Sequence, residues 1–230
     1  MVRENITIII GEAALEPVPP EIYGHPEIRR SAARRGKRPP QILLDISLHY
    51  RAMRRLPDRE KRGRPDIIHL TLLELLSSPL NLAGRLKVLI HTYGDYGIEV
   101  DPAIRLPRNY NRFVGLMEQL FEEGSVPPGS KSPLMKVFPA TVEGVVKLAG
   151  SKNAILLSER GKYSRPAEVC EEALESGRPI IIGGFPHGEF SEETQAVASS
   201  VYSIFLKPLD AWVVASRIAY ACEKYLGIME

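Results

Sequence analysis

Residues 179–209 read PIIIGGFPHGEFSEETQAVASSVYSIFLKPL. The β-branched run Ile180, Ile181, Ile182 predicts a strand buried on both faces. Gly183 and Gly184 follow at once, so the chain leaves that strand where backbone can approach a ligand closely. Phe185, Pro186, His187 and Gly188 continue as a loop. A second strand is expected over roughly Val201 to Phe205, ending in Leu206, Lys207, Pro208 and Leu209, with a long helix from near Leu209. Two strands of one sheet ending in irregular loops, with a helix start beside one of them, is how open α/β sheets build a ligand crevice. Two ordinary strand–loop junctions would read the same way, and pattern alone does not choose between them.

Outward from this stretch, strands and helices alternate. Ile6 to Ile10 is a β-branched run closed by Gly11 and reads as a buried strand. Ala13 to Leu15 is the start of a helix that Pro17, Pro19 and Pro20 stop. A loop is expected from Gly24 through Pro40, a short strand at Ile42 to Asp45 and a short helix at His49 to Leu56. Arg62 to Pro79 holds a helix with Pro65 and Asp66 at its start, where Asp66 can serve as a cap or a dipole partner. Lys87 to Val100 reads as a hairpin around Tyr93-Gly94-Asp95-Tyr96-Gly97. A helix from about Asn109 to Glu123 buries Phe113, Leu116, Met117 and Leu120 at helical spacing. Gly124 to Ser132 is a loop, Thr141 to Leu148 a short helix, Ala154 to Leu157 a strand, and Ser158 to Tyr163 a polar turn. Pro166 to Glu175 is a helix with Pro at its start and Gly177 beyond its end. The final helix, to Tyr225, is apolar almost all round, which means deep burial or a subunit interface. This alternation argues for a single α/β domain with a mostly parallel sheet, the hairpin being an insertion that carries basic residues.

The 230 residues suffice for a sizeable core. Net charge is only +2, but 18 of the 30 Lys and Arg residues lie between Arg29 and Arg112. RRSAARRGKR, from Arg29 to Arg38, contains no acidic residue. Such a block is either a solvated loop or a phosphate-binding surface. Cys170 and Cys222 have no metal-like spacing, which predicts a reducing compartment and no disulfide. Met1 to Glu4 do not begin a signal peptide, and no apolar run reaches the ~20 residues that span a bilayer. The expectation is a soluble, cytoplasmic protein. Phosphate-loop, GxGxxG, CxxC, HExxH and nucleophile-elbow patterns are absent. His69 and His91 read as isolated structural histidines, and no metal site is expected.

The string RGRPDIIHLTLLELLSSPLN (Arg62 to Asn81) resembles the signature of the nucleolar essential protein family, the small-subunit ribosomal RNA pseudouridine N1-methyltransferases of the SPOUT superfamily. The likeness extends through IRLPRNYNRFVGLMEQL (Ile104 to Leu120), IIIGGFPHGEF (Ile180 to Phe190) and KPLDAWVVAS (Lys207 to Ser216). Asp101 departs from it, standing before Pro102 where the pattern has Asn. The resemblance implies an α/β fold with a C-terminal trefoil knot and a homodimer joined through the final helix, with ribosomal RNA lying across both subunits and ribosomal proteins as further partners. It implies S-adenosylmethionine held by Leu157, Gly183, Gly188 and the segment Ile204, Phe205, Leu206, Lys207, Pro208 and Leu209. It assigns RNA and substrate binding to Arg64, Asp66, Arg105, Arg108 and Arg112, within a basic insertion spanning about 29–112. Arginine suits that task because its planar fork donates bidentate hydrogen bonds to phosphate.

Two functions follow. In the first, the chain is an enzyme that methylates N1 of a pseudouridine in a small-subunit RNA loop during ribosome biogenesis. Asp66 is then the candidate proton acceptor, and the arginines stabilise developing charge. In the second, it is a non-catalytic assembly factor that binds and remodels ribosomal RNA. The complete glycine loop and the Ile204 to Leu209 segment favour the enzyme.

Overall fold

The computed structural model describes residues 5–229, so the reading of residues 1–4 as no leader lies outside them. In chain order the elements are β1 (Ile6–Ala13), α1 (Pro26–Arg34), α2 (Ile46–His49), α3 (Pro65–Ser77), α4 (Pro79–Leu82), β2 (Leu86–Thr92) and β3 (Tyr96–Val100). There follow α5 (Tyr110–Glu123), β4 (Ser125–Val126), β5 (Met135–Pro139), α6 (Val142–Leu148), β6 (Ala154–Tyr163) and α7 (Pro166–Ser176). The C-terminal part is β7 (Ile180–Gly183), α8 (Glu192–Ala196), β8 (Ala198–Ser203) and α9 (Ala211–Tyr225).

One sheet carries every strand among the described residues, in the order β4-β5-β3-β2-β1-β7-β6-β8. From β2 to β8 all neighbours are parallel, and from β2 to β4 all are antiparallel. Side chains alternate between the faces. Ile8, Ile10, Ile180 and Ile182 enter a large core with α3, α5, α7 and α9. Ile9, Leu89, Leu156 and Ile181 point the other way and pack on α6. The isoleucine runs of β1 and β7 are therefore buried on both faces, as their composition requires.

Several local expectations change. The hairpin is not an insertion: β2 pairs in parallel with β1 and forms the middle of the sheet. The basic block is not a loop. It forms α1, with Pro26 at the helix start, His25 accepting from the N–H of Glu27, and Ile28 and Ala32 buried. Pro26 favours a helix start here because its missing N–H would have no intrahelical partner there. With Val18, Ile42, Leu44 and Met53, α1 closes a small core of its own. Buried Glu118 of α5 anchors this cluster, accepting from Arg35, from Lys37 (2.9 Å) and from the N–H of Leu43 (3.1 Å).

Ala13 to Leu15 is extended rather than helical, since β1 continues to Ala13 and Ala14 then exchanges backbone bonds with Gly184 and Arg64. Ile42 to Asp45 contributes only a single bridge, Leu43 to Pro17. The expected helix at 49–56 splits into α2 and a 3-10 turn at Ala52–Arg55. The polar turn after Leu157 is an excursion within β6, whose register to Tyr202 jumps from Leu157 to Lys162. At Gly161 a Cβ would stand 2.4 Å from the Tyr202 backbone, so only glycine lets β6 rejoin β8 there. Cys170 and Cys222 are bonded, joining α7 to α9. A separation of 52 residues conceals that these helices pack side by side with Cα atoms 5.5 Å apart.

Candidate functional site

Because β1, β7, β6 and β8 run parallel, their C-terminal ends reach one edge of the sheet, and a cleft of about 410 Å³ opens there. Its walls are the excursion of β6, the loop after β7, the segment after β8 and the first turn of α9. Leu157, Gly183 and Gly188 line it, as do Ile204, Phe205, Lys207, Pro208 and Leu209. Leu206 alone of the expected set does not, and at 87% exposure it points to solvent. Both stretches singled out in the sequence thus meet in one place, although Gly188 and Ile204 lie 16 positions apart in the chain.

The glycines have distinct reasons. Gly184 must be glycine because a Cβ would press on Ile10 at 2.7 Å and on the Ala13 backbone at 2.8 Å. That close approach lets its N–H donate to Gly11 and its carbonyl accept from Ala14, each at 2.8 Å. Gly188 has φ +101°, a conformation open to little but glycine. Among the described residues, Phe185 to Gly188 form no hydrogen bond. All four line the cleft, so where a ligand would sit their backbone polar groups have no partner among the described residues. The lining combines apolar surface for a flat ring with such groups, the usual make-up of a small-molecule site.

At the end of β1, Glu12 takes a left-handed φ of 49°. It accepts from Lys61 (2.6 Å) and from the N–H of Ser191 (2.7 Å). Burial raises the pKa of Glu12, but the hydrogen bonds from Lys61, Thr194 and Ser191 outweigh it and hold the carboxyl below its ordinary value. Arg62, the residue after Lys61, is buried and forked onto both oxygens of Glu16 at 2.7 Å.

Arg64 precedes the first turn of α3 and lines the cleft. Its Nε and Nη2 donate to the two carboxylate oxygens of Asp66, at 2.8 and 2.7 Å. Those bonds, against partial burial, raise the pKa of Arg64 further and keep it charged. Asp66 itself does not line the cleft. Arg105, Arg108 and Arg112 are exposed, away from the lining, and their side chains have no partner among the described residues. They cluster around the start of α5, where the Asn109 side chain caps the N–H of Arg112. Tyr110 in the same turn donates to Asp45 (2.7 Å), tying α5 to the start of α2, with burial pushing its hydroxyl pKa well up.

His69 stacks on Phe113 at 4.4 Å with Nε2 2.7 Å from the Pro107 carbonyl, and His91 contacts Asp95 at 3.0 Å. Each is held by contacts within the fold. Asp101 accepts from the N–H of Ala103 within a turn. No cluster of metal-ligating residues occurs among the described residues, and no helix there is long and apolar enough to cross a membrane. Ser158, Glu159 and Trp212 also line the cleft and were not expected to. Nor were Glu12 and Lys61 legible as a pair. Their only signal is the proximity of Lys61 to the Arg62 to Asn81 string.

Residues 8–223 match the EMG1/NEP1 methyltransferase family. A Staphylothermus marinus protein named ribosomal RNA small subunit methyltransferase Nep1 is 47% identical, over 99% of both chains. A Saccharolobus solfataricus protein of the same name is 44% identical over 97% of this chain and 99% of its own. The crystal structure of Archaeoglobus fulgidus Nep1 bound to S-adenosylhomocysteine superposes with a TM-score of 0.84 at 40% identity, covering 96% of this chain and 98% of that one. With the match spanning nearly the whole sequence, the chain belongs to the EMG1/NEP1 methyltransferase family.

Proposed function

We propose that this chain methylates N1 of a pseudouridine in a loop of small-subunit ribosomal RNA, with S-adenosylmethionine as methyl donor. The observation that carries the reading is the meeting of Arg64 with the two C-terminal loops in one cleft. The lining fits the cofactor: Gly183 and Gly188 offer backbone, while Leu157, Phe205 and Leu209 offer apolar cover for an adenine ring. When bound, S-adenosylmethionine supplies an electrophilic methyl group. The protein's own part is then mainly to place the base. Pseudouridine, unlike uridine, exposes a ring N1–H.

Asp66 engages both donors of the Arg64 fork, so it aims the guanidinium at the cleft mouth. Each carboxylate oxygen retains a second acceptor site. Asp66 is thus also the proposed acceptor of the N1 proton, and Arg64 the proposed stabiliser of charge on the ring oxygens. Arg105, Arg108 and Arg112 hold phosphates of the RNA, which their exposure and lack of partners allow. A loop nucleotide splayed from its stack brings the base within reach of the cofactor.

The same reading includes a homodimer, in which α9 and the exposed Phe205 and Leu206 lie near the partner, and a trefoil knot at the C-terminus. For the knot, the support is that β8 runs along the sheet edge, whereas α9 returns to pack on β7 between α3 and α7. Cytoplasmic ribosome biogenesis is the setting. The test is transfer of labelled methyl from S-adenosylmethionine to paired RNA hairpins that differ only in uridine or pseudouridine. Label is expected in the pseudouridine hairpin alone. No transfer to either, with tight RNA binding, would instead favour a non-catalytic assembly factor.

A further inference from the structure

Building on the reading of the cleft as a cofactor site, we propose that Lys61 and Glu12 are positioning residues that hold the 183–191 loop in the shape that receives the cofactor. Lys61 Nζ lies 2.6 Å from Glu12 Oε2 and 4.7 Å from the centre of the Phe185 ring. Its side chain is only 11% exposed, so its ammonium is largely withdrawn from water and satisfied by one carboxylate and one aromatic face. The other oxygen of Glu12 accepts the N–H of Ser191, the residue that caps α8. One carboxylate therefore grips the loop twice, at Ser191 directly and at Phe185 through the lysine. Between these points the chain passes Gly188, where a Cβ would stand 3.3 Å from Lys61 Cε. The middle of the loop rests on the lysine methylenes.

The other contacts on this loop gather at its end, where Arg160 meets Glu189 at 2.9 Å, Gln195 donates to the Phe190 carbonyl at 2.8 Å and Phe190 packs edge-on against Phe185. The start of the loop is tied at Gly184, but Phe185 to Gly188 form no hydrogen bond among the described residues. The lysine is itself a fixed support, because the adjoining segment is pinned to the exit of β1. Arg62 forks onto Glu16, and the N–H of Arg64 donates to the Ala14 carbonyl at 3.1 Å. Glu12 keeps its grip in a left-handed backbone conformation unusual for a residue with a side chain. Such conformations persist where surrounding structure over-determines them, and they concentrate at ligand clamps. The pair thus joins the cofactor loop to the segment that carries Arg64.

The test uses the full chain and S-adenosylhomocysteine as probe, with calorimetry, thermal melting and amide hydrogen exchange as readouts. Lys61→Met keeps the stem and removes the charge. Glu12→Gln keeps an acceptor for Ser191. Lys61→Met is expected to weaken binding roughly tenfold, the loss of one charge-assisted contact, and to speed exchange at residues 185–190. The double variant leaves no unpaired buried charge, so its melting temperature should return toward that of the unmodified chain while its affinity stays weak. It also answers the question if Lys61→Met alone does not fold. Unchanged affinity in Lys61→Met, or affinity that recovers together with melting temperature in the double variant, would overturn the proposal alone. An unmodified chain that takes up no S-adenosylhomocysteine would overturn the cofactor reading and this proposal with it.

Discussion

Arg64 and Asp66 lock together at the first turn of α3 through two parallel hydrogen bonds of 2.8 and 2.7 Å, and only the arginine lines the cleft. Replacing Asp66 by Asn keeps the shape but removes the charge that orients Arg64. The RNA concentration needed for half-maximal rate should rise. At saturating RNA and cofactor the methyl-transfer rate should also fall, by about tenfold or more if the carboxylate accepts the proton. A variant with normal turnover and weakened RNA binding would leave Asp66 as the residue that aims Arg64 and nothing more.

Arg108 tests the arginine group apart from the cleft. Its exposed side chain touches nothing that its loss would destabilise, so Arg108→Ala should melt at the same temperature as the unmodified chain. RNA binding should weaken by about 1.5–3 kcal/mol, the range for a hydrogen bond to a charged group. The slope of log affinity against log salt should become shallower by about 0.7–0.9, because one fewer counterion is released. Calorimetry should find S-adenosylhomocysteine affinity unchanged.

Gly188→Ala addresses the cleft itself. At φ +101° any side chain is strained, at a cost of about 1–3 kcal/mol, and the added methyl meets the Lys61 stem. The loop should move rather than the sheet, since β7 is held on both sides by β1 and β6. Cofactor affinity should drop while circular dichroism stays unaltered. Undiminished binding in the folded variant would remove Gly188 from the site.

How much of this was legible follows from the range of each interaction. Ile180 to Ile182 and Ile6 to Ile10 announce buried strands because burial on both faces demands unbroken apolar runs. The glycine loop and the Ile204 to Leu209 segment were visible for a local reason too, since each interrupts a regular element. Helix α1 was hidden by its own charge, as three apolar or small buried positions, Ile28, Ser31 and Ala32, are all that distinguish it from a basic loop. Contacts that join distant segments left no trace in sequence. Glu12 with Lys61, Glu118 with Arg35 and Cys170 with Cys222 are each set by packing of elements, which no local pattern encodes.

His49 gives a stability prediction that depends on pH. It is buried, its Nδ1 accepts the N–H of Asp45 at 3.1 Å, and its Nε2 has no partner among the described residues. Burial, only partly opposed by Asp45, lowers its pKa to about 4. Its ordinary value is about 6.5, so between these pH values the unfolded chain binds the proton and the folded chain does not. Stability must then fall as pH drops from about 6.5 to about 4. His49→Gln removes this titration, and the difference between the two melting profiles isolates it from carboxylates that titrate nearby. Parallel profiles across that window would show that His49 is already charged in the folded state.

Reduction of the Cys170–Cys222 bond should destabilise the fold without emptying the cleft. The bond ties α7 to α9 across a separation of 52 residues, and the closed loop contains β7, β8 and both cleft segments. A cross-link of that span lowers the entropy of the unfolded chain, worth about 4 kcal/mol in the loop-closure estimate. Both cysteines are fully buried between the helices, so the native packing is largely the same with thiols in place. Denaturant titration of the oxidised and reduced chain should therefore show a lower midpoint after reduction, with S-adenosylhomocysteine affinity retained under native conditions. Equal midpoints would mean that the unfolded chain is already compact enough for the cross-link to restrict nothing. A loss of affinity on reduction would show instead that α9 shifts relative to α7 when the bond opens, and that the first turn of α9 carries this shift into the cleft wall.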